Sequence, residues 1–160
     1  MRAVAGAPGL AGAQAVSGTV TGILGYARWP QADGPLRLCI LGPVEYGQVL
    51  AGIREQRLPD GRPIVARNLP LDTPNLPSHC DAVYTGRLDP DEEWRLYERL
   101  AGHAVLSIAE GGECEAGPMF CLHVQGSMVS FLVNLDSVAR STVRVHPQVL
   151  KLGRSRQERP

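Results

Sequence analysis

Apolar side chains recur at Val16, Val20, Ile23, Leu24 and Ala27, the i, i+4, i+7, i+8, i+11 stripe of an amphipathic helix over residues 16–28. Trp29-Pro30 ends it, because proline bars its neighbour from helical geometry. Gly18, Gly22 and Gly25 each weaken helix propensity by up to ~1 kcal/mol relative to alanine. Docking must therefore hold this helix, against a sheet or against a second subunit. Leu36 to Leu41 is a nearly unbroken apolar run between Pro35 and Gly42-Pro43, which predicts a buried strand. Tyr46, Val49, Leu50 and Ile53 predict a helix after it, and Pro59-Asp60-Gly61 predicts a turn. Arg62 to Leu69 alternates as a second strand, Pro70 to Pro77 reads as an irregular link, and Cys80 to Gly86 reads as a third strand.

Asp89-Pro90-Asp91-Glu92-Glu93 is a helix start written in full. It has an N-cap acid, proline at the first helical position, and carboxylates in the turn where the helix dipole favours them. Trp94, Tyr97, Leu100 and Ala101 are expected to form that helix's buried stripe, with Gly102 at its end. Ala104 to Ile108 predicts a fourth strand, followed by a Gly-rich acidic loop around Cys114. Phe120–Val124 and Met128–Leu135 flank Gln125-Gly126-Ser127 as a hairpin with a three-residue link. Asp136 is expected to cap a short helix over 137–141. Thr142 to Pro147 then alternates, sending Val143 and Val145 to one side and Arg144 and His146 to the other. The whole predicts an α/β domain: a mostly parallel sheet with an antiparallel edge hairpin and helices on both faces.

At 160 residues the chain is long enough for one core and short for two domains. Sixteen basic and sixteen acidic residues cancel, which argues against nucleic-acid binding and against a polybasic membrane anchor. No apolar run reaches the ~18 to 20 residues of a membrane span. Residues 1–15 read as the clipped tail of a signal peptide or an appended cloning sequence, with Ala11-Gly12-Ala13 and Ala13-Gln14-Ala15 shaped like cleavage sites. Residues 153–160 read as a basic, disordered tail.

Candidate catalytic chemistry fails on context. There is no Gly-x-Ser-x-Gly elbow, and adjacent His79 and Cys80 on an extended segment point to opposite faces. Gly111-Gly112 lies between Glu110 and Glu113, whose charge would repel a phosphate. The acids from Asp89 to Glu93 lack the spacing of a calcium loop, and four dispersed histidines lack that of a zinc site, so neither a metal nor a cofactor is expected. Cys39, Cys80, Cys114 and Cys121 permit three complete pairings and show no Cys-x-x-Cys spacing. Two disulfides and an oxidising compartment are expected. Leu135, Val138, Val145, Pro147 and Leu150 are expected either to complete the core or to converge on an apolar pocket with Arg144 and His146 on its rim.

An ordered series of segments carries a resemblance: Trp29-Pro30, Leu36-Arg37-Leu38-Cys39, His79-Cys80-Asp81-Ala82-Val83-Tyr84, Val105-Leu106-Ser107-Ile108, and Asn134-Leu135 through Arg140. Across roughly residues 16–152 the chain resembles the YfiR family, periplasmic proteins that hold an inner-membrane diguanylate cyclase inactive. The resemblance implies a non-catalytic homodimer and pairings Cys39 with Cys80 and Cys114 with Cys121. It also implies a cyclase partner of the YfiN type, bound through its periplasmic domain, and an OmpA-like outer-membrane lipoprotein of the YfiB type. The lipoprotein is expected to dock on the C-terminal segment that holds Leu135, Val138, Val145, Pro147 and Leu150. Relief by that lipoprotein or by reductive stress would raise cyclic di-GMP and favour biofilm. Leu132 departs from the pattern, standing where relatives are expected to carry an acid. A reading from a different class is a periplasmic small-molecule-binding module, with a carboxylate or aromatic ligand at Arg144 and His146.

Overall fold

Strand periodicity assembles a doubly wound sheet in the computed structural model, which describes residues 8–31, 33–53, 56–111 and 114–153. The basic residues Arg154, Arg156 and Arg159 of the expected tail lie outside these, as do the first seven residues. The main strands are β2 (Leu36–Leu41), β3 (Ile64–Leu69), β4 (Ala82–Thr85), β5 (Leu106–Glu110), β6 (Phe120–Gln125) and β7 (Met128–Val133). Their spatial order is β3-β2-β4-β5-β6-β7, parallel throughout except for the antiparallel β6–β7 hairpin. A second, two-stranded sheet pairs β1 (Ala27–Arg28) with β8 (Arg144–Val145), antiparallel.

Alternation along each strand feeds two separate cores. Leu36, Leu38 and Ile40 of β2, Tyr84 of β4, Ile108 of β5 and Phe120 of β6 face the long helix α1 (Pro8–Gly25) and the C-terminal segment, where Val143 and Val149 close the layer. Cys39, Leu41 and Val83 face the other way. There they meet Leu76 of the one-turn helix α2 (Leu76–His79) and Leu96 and Leu100 of α3 (Pro90–Leu100). Helices thus cover both faces, as the strand-helix alternation predicts.

Several local expectations are corrected. The first helix runs from Pro8 to Gly25 rather than over 16–28, and Ala27 lies on β1, though Val16, Val20, Ile23, Leu24 and Ala27 are all buried as the stripe requires. The segment after β2 is a 3-10 helix, Gly47–Gly52, with Leu50 buried and Val49 exposed. Gly47 lets it pack directly on β4, since a Cβ there would collide with the Tyr84 ring. The link 70–77 contains the start of α2, entered through Asn75 at φ +58°. On α3, Leu96 and Glu93 replace Trp94 and Ala101 on the inner face, and Trp94 is 64% exposed. The Asp89 capping box is present, with both Asp91 and Glu92 amides donating to the Asp89 carboxylate. Gln125 pairs with Met128, so the hairpin turns on two residues, led by Gly126 at φ +62°. The last helix, α4 (Leu135–Arg140), is capped by Asn134 instead of Asp136: the Ser137 amide donates to Asn134 Oδ1 at 3.1 Å.

Candidate functional site

Two disulfides, Cys39–Cys80 and Cys114–Cys121, close loops of very different length, with sequence separations of 41 and 7. The first joins β2 to the residue that ends α2, inside the second core. Beside it, the Asp81 carboxylate accepts from the Arg37 backbone amide at 2.9 Å and from the Arg37 guanidinium at 3.1 Å, while the Trp29 indole donates to the Asp81 carbonyl at 2.9 Å. The hydrogen bond to Asp81 raises the Arg37 pKa against the opposing effect of burial. Arg62, also buried, stacks 5.9 Å from the Trp29 ring centre and donates to the Gly34 carbonyl. Disulfide and ion pair together lock the entry of β4 against β2. The second disulfide ties the turn Cys114–Ala116 to β6, and Asn134 anchors the same loop by donating from its backbone amide to the Met119 carbonyl at 2.9 Å.

In doubly wound sheets, ligands usually sit beyond the carboxyl ends of the strands where the order reverses. Here that point lies between β2 and β4, and the chain fills it with its own groups. A Cβ on Gly86 would stand 2.2 Å from the Pro43 carbonyl oxygen, so the two following loops are in direct backbone contact. The buried Glu110 carboxylate, at the end of β5, accepts from the Glu45 and Tyr46 amides and from the Tyr84 hydroxyl at 2.5 Å. Donors that could cradle an anion are thus satisfied internally. Sequence reasoning read Glu110 as the edge of a loop; its burial comes from the sheet register that stacks β5 beside β4.

Burial first, and the Glu110 charge second, hold the Tyr84 phenol well above its ordinary pKa of 10.0, and burial does the same to Tyr97. For an acid raised in the folded state, the stabilisation is complete below the unfolded pKa and is lost as pH climbs beyond it, because only the unfolded chain ionises. The Tm should therefore hold steady to about pH 9.5 and fall steeply above about pH 10. Tyr84→Phe should flatten that fall, measured by circular dichroism; an unchanged alkaline slope in the variant would refute the assignment.

The C-terminal residues singled out from the sequence occupy several environments. Val138 and Val145 are half-buried against the first core, whereas Pro147 is exposed, and Leu135 and Leu150 are 73% and 42% exposed. Val143 is buried while Arg144 and His146 point to solvent, in the expected alternation. The β1–β8 pairing sets Arg28 opposite Arg144 and Ala27 opposite Val145. The His146 amide donates to the Tyr26 carbonyl at 2.8 Å, and the two rings lie 6.3 Å apart. Gly25, Tyr26, Arg28, Arg144, Val145 and His146 line a shallow groove of about 400 Å³. Arg28 was missed in the sequence because its neighbour across the sheet is more than a hundred residues away.

A doubly wound α/β domain stapled by two disulfides, with its strand-end crevice closed by an internal carboxylate, defines the class of protein. No helix among the described residues is long and apolar enough to cross a membrane. The chain belongs to the YfiR/HmsC-like family, DUF4154, whose family model matches residues 13–154. That family comprises periplasmic, non-catalytic regulators of the cyclic di-GMP signalling system.

Proposed function

We propose that this chain is a periplasmic repressor that binds the periplasmic sensor domain of an inner-membrane diguanylate cyclase and keeps it inactive, lowering cyclic di-GMP and biofilm formation. The observation that carries this reading is the family match across residues 13–154, which spans every strand of the main sheet. An OmpA-like outer-membrane lipoprotein relieves the repression by docking on the segment with Leu135, Val138, Val145, Pro147 and Leu150, and loss of the fold under reductive stress is a second route. The repressor acts as a homodimer, and the outer face of α1 is its seat. A Cβ on Gly18 would meet nothing within 4 Å, so packing within the chain gives no reason for that glycine, whereas Gly12 and Gly22 closely approach Tyr46 and Leu152.

Deleting the gene in its source bacterium should raise cellular cyclic di-GMP, and an exported wild-type copy should restore it. Pull-down from envelope extract should recover a membrane-bound diguanylate cyclase. Unchanged cyclic di-GMP together with no cyclase in the pull-down would overturn the reading.

A second reading, a small-molecule-binding module, is favoured by the Arg28–Arg144 juxtaposition. Like charges placed opposite each other on a sheet repel, and an anion between them would relieve that cost. Thermal shift against carboxylates and aromatic acids, without any protein partner, separates the two: a large rise supports the module.

A further inference from the structure

A second groove lies between α3 and α4, walled on one side by Glu115 and Gly117 of the loop that the Cys114–Cys121 disulfide closes. We propose that it receives an extended, cationic segment of a partner protein, with an arginine or lysine side chain lodged against Trp94 and Tyr97 and neutralised by Glu98 and Glu115. Trp94, Tyr97 and Glu98 follow one another at helical spacing, so both rings and one carboxylate lie on the same side of α3 and line the groove together. Aromatic faces and carboxylates attract the same partner, a desolvating cation. Trp94 is 64% exposed although its helix docks well through Leu96 and Leu100, so the core leaves this large residue for something else to cover.

Charge decides the sign of the occupant. Asp136 and Arg140 also line the groove but answer each other at 3.9 Å across one helical turn, whereas Glu98 and Glu115 have no ion-pair partner among the described residues. The groove therefore carries two uncompensated negative charges beside two aromatic rings. Size decides its nature. About 250 Å³ falls below the ~300 to 1,000 Å³ of ordinary small-molecule sites and suits one side chain of a longer segment. The wall is firm. Gly117, at φ +139°, brings the loop so close to α3 that a Cβ there would stand 2.8 Å from the Tyr97 ring, and the Tyr97 hydroxyl is held 3.4 Å from Thr85 Oγ1.

The test is selection of a random dodecapeptide phage library on the oxidised full chain, followed by titration of the enriched synthetic peptides monitored by Trp fluorescence and amide chemical shifts. Enriched peptides should carry an arginine or lysine beside an apolar residue. Their affinity should fall by about tenfold in Glu98→Lys and in Trp94→Ala, two variants at exposed positions whose folding is checked by Tm. Peptides that bind both variants as tightly as the parent, or an enriched set that is acidic, would overturn the proposal. So would arginine methyl ester binding as tightly as the peptides, because that outcome makes the groove a small-cation site. These measurements use no cyclase or lipoprotein, so their failure leaves the repressor reading standing, and the reverse holds equally.

Discussion

Cys39→Ser should lower the Tm by roughly 8 to 16 °C, and Cys114→Ser by only about 5 to 10 °C. The ordering comes from the loops: a separation of 41 residues removes more freedom from the unfolded chain than one of 7. Loop-closure estimates give about 4 kcal/mol for the long loop and about 2.5 kcal/mol for the short one. Burial adds to the difference, since Cys39 and Cys80 lie within the second core, where a serine hydroxyl needs a partner, while Cys114 sits in a partly exposed turn. Each figure is a large share of the ~5 to 15 kcal/mol that holds a domain of this size together. Calorimetry on the oxidised proteins checks the order; equal shifts, or a larger one for Cys114→Ser, would show that the short loop is the main staple. Dithiothreitol on the parent chain should reproduce the Cys39→Ser effect or exceed it. Such sensitivity is what the proposed release by reductive stress requires.

What the residues revealed in advance follows the range of the forces involved. Strands β2, β4 and β5 were legible as short, nearly continuous apolar runs, which the structure buries almost throughout, β3 from its alternation, the β6–β7 hairpin from the Gly-containing link between two apolar segments, and α3 because its capping box is a local hydrogen-bond pattern. The inner face of α3 was misread. Trp94 is the larger apolar residue, yet α2 and the second core select the side carrying Leu96 and Leu100, a tertiary choice with no local mark. The disulfide pairing came from resemblance, since the four cysteines alone left three pairings open, and the structure contains the pairing so implied. Glu110 and Arg28 stayed hidden for one shared reason. Each acquires its setting from a partner strand or loop far along the chain, 65 residues to Glu45 in the first case.

Leu135→Asp should leave the fold and Tm unchanged and weaken lipoprotein docking by at least about tenfold, because a side chain 73% exposed contributes little to the core and a few kcal/mol when a partner covers it. Leu150→Asp should act in the same direction. Val138→Asp is a different experiment. Val138 packs half-buried against the first core, so a carboxylate there loses core contacts as well as any partner contact. A fall in Tm of a few degrees should accompany its loss of docking, and the comparison with Leu135→Asp separates the two effects. Surface plasmon resonance with the immobilised lipoprotein, alongside a thermal melt of each variant, supplies both measurements. If Leu135→Asp and Leu150→Asp bind as the parent does and only the destabilised Val138→Asp fails, the C-terminal residues serve the core and the lipoprotein docks elsewhere. If all three fail while the first two melt normally, the exposed leucines form part of the docking surface, and Leu132, 48% exposed on β7, becomes the next position to test.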